Sequence, residues 1–284
     1  MFRNLNCGAI GVPADLHKSI EYAKLGGFQG MDVPVGEVLP LLEQHGADYV
    51  KALFADNGLA MGGIGWPVRW MGSEDDWQAD LKKLPDFCAA VQQIGASRAA
   101  TWVPSWNDER AWDENWRFHV DRLKPMADIT AEYGVRLGLE FLGPRTLFVG
   151  KQHEFIHTAE QMLELCAQLG PNAGLLLDAW HWHTSGGTLD DLRAMTNANV
   201  VYVHINDAPR GLSMDEYVDS VRALPGETGV IDLTGFLQAL QQIGYDGPVT
   251  PEPFSKQLAE MADKAEAVQW VGGMLKGVFD QAGV

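Results

Sequence analysis

Four short apolar runs in this chain each end in one carboxylate or imidazole: Leu137-Gly-Leu-Glu140, Leu175-Leu-Leu-Asp178, Val201-Tyr-Val-His204 and Val249-Thr-Pro-Glu252. An apolar run this short, without helical spacing, reads as a strand buried on both faces, which is how parallel sheets covered by helices are built. The interior would not accept a carboxylate without a partner. Each polar residue therefore marks a strand leaving the core. Four strands that deliver one polar group apiece to the same end restrict the chain to a parallel α/β architecture.

The rest of the chain keeps the same beat. Leu5–Ile10, Gly30–Val35, Leu59–Trp66 and Arg98–Val103 read as strands one to four, and Val135–Phe141, Leu175–Ala179, Val200–Ile205 and Gly247–Pro251 as strands five to eight. Amphipathic segments lie between them: Asp15–Leu25, Glu37–Asp56 with a break at Gly46, Trp77–Ile94, Asn115–Tyr133, Thr158–Leu169, Leu189–Met195 and Leu233–Ile243, with Gln257–Val278 last. Strands separated by helices, with no hairpin signal, imply right-handed crossovers. Eight such units predict a single (β/α)8 TIM barrel over residues 1–284. No linker or change of composition divides it.

Charge narrows the partners. Against 21 Lys and Arg stand 38 Asp and Glu, a formal net charge of -17. Such a surface repels phosphate backbones and anionic lipid, so neither nucleic acid nor a membrane is an expected partner. A small neutral molecule suits it better. No apolar run approaches the about 18 residues of a membrane span, and the first residues lack the pattern of a signal peptide. Three scattered cysteines, Cys7, Cys88 and Cys166, support neither a disulfide framework nor a cysteine zinc site, which points to the cytoplasm.

Glu140, Asp178, His204 and Glu252 fall on consecutive units five to eight, at the end of a barrel where enzymes of this architecture work. Pro251 and Pro253 flank Glu252 and show that its strand is ending there. Three carboxylates and one imidazole make a hard donor set for one divalent cation: Mn²⁺ first, with Mg²⁺, Co²⁺ or Zn²⁺ as alternatives. Without a cation the carboxylates would repel one another.

The phrases Leu139-Glu-Phe-Leu-Gly143, Leu177-Asp-Ala-Trp-His181, Val203-His-Ile-Asn-Asp207 and Pro251-Glu-Pro-Phe254 resemble the xylose-isomerase-like superfamily of sugar isomerases and epimerases. Within it, the Asp-x-x-His-x-His phrase and Pro225-Gly-Glu-Thr-Gly-Val-Ile-Asp232 are most similar to inosose (2-keto-myo-inositol) isomerases. The resemblance implies that Glu140, Asp178, His204 and Glu252 ligate the metal, that Glu140 and Glu252 also move the proton, and that His181 and Arg210 touch substrate. It implies isomerisation or epimerisation of a keto-cyclitol or ketose, the cation stabilising the enediolate formed when a proton leaves the carbon beside the carbonyl. The ketose 3-epimerase branch has a second substrate-binding Glu six residues past the first ligand, where this chain has Thr146 beside Arg145. A lyase using the same enediolate to expel a leaving group from a keto-sugar or oxidised glycoside is a further alternative. A barrel phosphodiesterase acting on damaged DNA would need extra histidines on early strands, and Leu59–Trp66 has none.

Trp66, Trp102 and Trp180, at strand ends, offer flat faces to the C–H side of a sugar, or simply pack the barrel. Trp106, Trp112 and Trp116 after strand four read equally as a lid or as a homo-oligomer contact. His183 is expected to support the loop rather than touch substrate. His17, His45, His119, His153 and His157 read as surface residues. Arg222 and Glu227 flank the Pro225-Gly226 turn and read as serving it, with a substrate contact as the alternative, and Asp232 reads as the cap of the helix after it.

Overall fold

The computed structural model describes residues 1–284. Its strands are β1 (Phe2–Leu5), β2 (Gly30–Val33), β3 (Ala60–Gly65), β4 (Arg98–Trp102), β5 (Trp106–Asn107), β6 (Arg136–Glu140), β7 (His153–Glu154), β8 (Ala173–Asp178), β9 (Val200–Ile205) and β10 (Pro248–Pro251). Eight of them close a parallel barrel in the order β1-β2-β3-β4-β6-β8-β9-β10, with β10 returning to β1. The expected (β/α)8 barrel is present. The remaining pair, β5 and β7, forms a small antiparallel sheet beside the mouth that joins the segments following β4 and β6. Two residues per strand are too few for sequence periodicity to reveal.

Several helices start where a side chain accepts the free amides of the first turn. Thr158 does so in a reciprocal capping box with Gln161, and Asp232 caps the helix Leu233–Gln242 as expected, accepting from the Gly235 amide at 2.8 Å. Two segments read as single helices are each divided. Trp77–Ile94 falls within Glu74–Leu81 and Leu84–Ile94, with Pro85 in the first turn of the second helix, where its missing amide goes unneeded. Gln257–Val278 falls within Lys256–Glu260 and Lys264–Ala282, because Asp263 caps a new start on the amides of Ala265 and Glu266. No helix is long and apolar enough to cross a membrane.

The long helix Trp112–Glu132 corrects one reading. His119 is buried on the face that also carries Arg122, Leu123 and Met126. Its Nδ1 meets the Asn115 carbonyl at 2.7 Å, and its Nε2 is buried among aromatic rings with no partner. Burial lowers its pKa to about 4, so the ring is neutral.

Strand register aligns the strand ends. Asp178 lies opposite His204, and Thr250 lies opposite His204 on the other side. Leu176, Tyr202 and Thr250 lie two residues before Asp178, His204 and Glu252, so they share the inward face one layer deeper. Tyr202 and Thr250 are bonded there at 2.6 Å.

Candidate metal centre

The four strand-end residues converge. Ligand atoms of Glu140, Asp178, His204 and Glu252 all lie within 4.8 Å of one another. His204 Nδ1 stands 3.4 Å from Glu140 Oε1 and 3.2 Å from Glu252 Oε2. Glu140, Asp178 and His204 are buried and Glu252 half-buried. Glu140 Oε1 and His204 Nδ1 are buried without a hydrogen bond. Leaving such an atom unsatisfied costs about 1–3 kcal/mol, which native proteins tolerate mostly at functional sites. A cation between them would give both a partner, so the donor set fits a metal.

Electrostatics agree with that fit. Burial pushes the Glu140 carboxyl up to about 7, against the pull of His204. At Glu252 burial works in the same direction, but His204 and Arg222 overcome it and hold the carboxyl at about 2. Burial opposes charge on His204, yet Glu252 and Glu140 raise its pKa well above the usual value. Protons and Arg222 thus hold together a cluster that a divalent cation would otherwise stabilise.

Asp178 is fixed from three sides. Its Oδ1 accepts from the Trp180 amide at 2.8 Å and from Asn206 Nδ2 at 3.3 Å, while Oδ2 accepts from Arg222 Nη1 at 2.7 Å. The first bond makes Asp178 the cap of a short helix, Ala179–Thr184, where the sequence suggested only a loop. Asn206, which sequence reasoning missed, also accepts from the Glu252 amide at 2.7 Å and so ties two ligand strands together. Its place in the Val203-His-Ile-Asn-Asp207 phrase was the available signal.

Arg222 is the main correction. Rather than serving the turn, it is buried in the site, with Nη1 also 3.2 Å from Glu252 Oε2 and Nη2 2.9 Å from Asp219 Oδ1. Asp207 brings it there. The Asp207 backbone exchanges hydrogen bonds with Ala223, and its carboxylate gathers the amides of Thr228, Gly229 and Ile231. The Pro225–Asp232 phrase is therefore folded back over the strand ends. Glu227 does serve its turn, accepting from the Leu224 amide at 2.8 Å. Trp180 is fully buried beneath Arg222, its ring 5.5 Å from the guanidinium, and offers no face to a sugar. Phe254, at a positive φ of 44°, has its ring 4.3 Å from the same guanidinium.

His181 points into the cluster. Its Nδ1 accepts from the Gly143 amide at 3.2 Å, a closer contact than the 3.4 Å between Arg222 Nη2 and Nε2, and this assigns the proton of the neutral ring to Nε2. Burial keeps the ring neutral by lowering its pKa to about 3. Nε2 lies 3.8 Å from Glu140 Oε1 and 3.7 Å from Asp219 Oδ1, so the site contains an N–H donor beside the carboxylates. Gly143 is required at this spot: a Cβ there would meet Thr184 Oγ1 at 2.7 Å and the His181 carbonyl at closer range.

The other expected contacts are spread more widely. Arg210 is exposed and donates to the Thr228 carbonyl, not to the ligand cluster. Trp102 pairs in register with Glu140 and is 43% exposed at the mouth, while Trp66 is half-buried with its Nε1 unpartnered. Thr146 donates to the Tyr217 carbonyl at 2.7 Å. His183 packs edge-on against Tyr217, in keeping with a supporting role. Trp112 and Trp116 stack on one another and against Phe155.

Relatives share this architecture. The chain is 26% identical over 257 residues to an inosose isomerase of Halalkalibacterium halodurans, a match covering 88% of this chain and 86% of that protein. It is 30% identical over 252 residues to a 3-dehydroshikimate dehydratase of Pseudomonas putida, covering 87% of this chain but 37% of that longer protein. A solved structure of IOLI protein with a binding zinc atom superposes with a TM-score of 0.79 at 21% identity, over 99% of both chains. A family model described as xylose isomerase-like TIM barrel matches residues 20–273, and the chain belongs to that family.

Proposed function

We propose that this protein is a divalent-metal-dependent isomerase or epimerase of a neutral keto-cyclitol or ketose. The observation behind the proposal is the convergence of Glu140, Asp178, His204 and Glu252 within 4.8 Å, with Glu140 Oε1 and His204 Nδ1 buried and meeting no partner in hydrogen-bond geometry. Mn²⁺ suits three carboxylates and one imidazole, and Zn²⁺ accepts the same ligands. When bound, the cation supplies positive charge against which a carbonyl oxygen becomes more anionic as the adjacent carbon loses its proton.

The chain's own groups account for the rest. Glu140 and Glu252 flank His204 and can take the proton from the carbon beside the carbonyl and return one to its neighbour or to the other face. His181 Nε2–H donates to a substrate oxygen and can do so throughout the working pH range because the ring stays neutral. Arg222 and Asn206 hold Asp178 and Glu252 in place. Trp102, exposed beside Glu140, is the aromatic face best placed to lie against a ring.

Incubation of the Mn²⁺-supplemented protein with 2-keto-myo-inositol and a panel of ketoses in D₂O tests the reading. Deuterium should appear at the carbon next to the carbonyl of a substrate, and exhaustive chelation should stop it. Absence of exchange with every member of the panel would refute it. The dehydratase relative favours one second reading, loss of water from the same enediolate. An unsaturated product in that experiment would select it.

A further inference from the structure

The half of the mouth opposite the ligand cluster holds an acid that the strand-end pattern does not reveal. Asp32, on β2, stands in a bed of donors. Its Oδ1 accepts from Asn4 Nδ2 and the Gly63 amide, both at 2.7 Å, and from the Tyr202 hydroxyl at 2.8 Å. Its Oδ2 accepts from Asn6 Nδ2 at 2.9 Å and shares the Tyr202 hydroxyl at 2.9 Å. Adjacent glycines make room for this arrangement: a Cβ on Gly62 would lie 2.6 Å from Asp32 Oδ1, and one on Gly63 would lie 2.6 Å from the Tyr202 ring. Burial raises the Asp32 pKa, while a shell made entirely of N–H and O–H donors favours the ionised form.

Asp32 is not sealed in. It keeps accessible surface and, with Asn6, Cys7, Ser19 and His204, lines a cavity of about 350 Å³. Ligand pockets of this kind begin near about 300 Å³, room enough for a six-carbon polyol. His204 belongs both to this cavity and to the ligand cluster, so the two are parts of one continuous mouth. An acid needed only to crosslink strands gains nothing by facing a cavity. An amide at this position would accept from Asn4, Gly63 and Tyr202 without the cost of placing a charge there. Oδ1 takes three donors and Oδ2 two, one of them the Tyr202 hydroxyl that both oxygens share, so a substrate hydroxyl reaching Oδ2 would take the place of that shared contact.

We propose that Asp32, steadied by Asn6, is the subsite for the substrate hydroxyls remote from the cation, with Oδ2 accepting O–H from a neutral polyol. The inference rests on reading the site as a sugar or cyclitol isomerase and narrows its substrates. The remote end bears uncharged hydroxyls, and a carboxylate or phosphate there meets like charge.

Titration calorimetry of the Mn²⁺-loaded protein with myo-inositol and with shikimate, a ring of similar size bearing a carboxylate, tests this. Myo-inositol should bind at least about tenfold more tightly than shikimate. Asp32→Asn should weaken myo-inositol by about tenfold or more, as expected for losing a hydrogen bond to a charged group. With a turned-over ketose or keto-cyclitol, that variant should raise KM with kcat little changed. The double variant Asp32→Asn with Asn6→Asp preserves both the paired hydrogen bond and the net charge, and should recover part of the affinity. Shikimate binding as tightly as myo-inositol, no measurable myo-inositol binding, or unchanged affinity and KM in folded Asp32→Asn would each overturn the subsite. The wild-type comparison decides even where the variant does not fold. Deuterium exchange persisting with unaltered KM refutes the subsite alone, whereas intact polyol binding without exchange refutes the isomerase reading alone.

Discussion

Replacing Arg222 with Met tests how the acidic cluster is held together. Its Nη1 lies 2.7 Å from Asp178 Oδ2 and 3.2 Å from Glu252 Oε2, and only 1% of its side chain is exposed. At an effective dielectric of about 20, each of these contacts is worth about 5–6 kcal/mol before desolvation is charged against it. Removing the cation leaves Asp178, which is fully buried, without its counter-charge. Breaking a buried pair in this way costs about 3–5 kcal/mol, a large part of the about 5–15 kcal/mol that stabilises most proteins. Urea unfolding followed by tryptophan fluorescence, in chelator, should show Arg222→Met destabilised by that amount. Saturating Mn²⁺ should shrink the deficit, because the cation takes over neutralising Asp178 and Glu252. A loss below about 1 kcal/mol in chelator, or the same deficit with and without Mn²⁺, would refute the reasoning.

Other substitutions probe separate parts of the account. Glu140→Gln and Glu252→Gln should each lower deuterium exchange into substrate by at least about a hundredfold, the usual scale for a proton-transfer group, while circular dichroism stays unchanged. Folded His119 takes up its proton only near pH 4, while an unfolded chain does so near 6.5. The stability due to neutral His119 is therefore present above pH 6.5 and lost on acidification, by about 3 kcal/mol at pH 4. His119→Phe should flatten the stability profile by that amount, and a His119 ring titrating near pH 6.5 by NMR would contradict it. Gly143→Ala should cost about 1–3 kcal/mol and raise the KM for substrate, because the new methyl displaces the segment that fixes His181. An unchanged melting temperature would count against that role.

The barrel and its strand-end cluster were legible in the sequence for one physical reason. A doubly buried strand cannot hide a charged side chain, so Glu140, Asp178, His204 and Glu252 each stand out at the end of an apolar run. Arg222 was not legible because it lies in a long connection without periodicity, brought into the site by Asp207 collecting amides from the Pro225–Asp232 phrase. Asp32 escaped for a different reason: it lies inside β2, with Val33 after it, and so does not stand at the end of an apolar run. His119 was readable in principle, since Asn115, His119, Arg122 and Met126 recur at helical spacing on one buried face, but the charged residues around them obscured that stripe. The first strand was placed late, at Leu5–Ile10 instead of Phe2–Leu5, because apolar residues in the following turn, Ile10 and Val12, are also buried.

Counting the ions bound per chain decides whether the four strand ends hold one divalent cation. Protein stripped with chelator and titrated calorimetrically with Mn²⁺, and in parallel with Zn²⁺, should show one saturable site per chain. That site should be lost in both Glu140→Gln and His204→Ala. A stripped protein that binds neither ion, or variants that bind as well as the parent, would contradict the account.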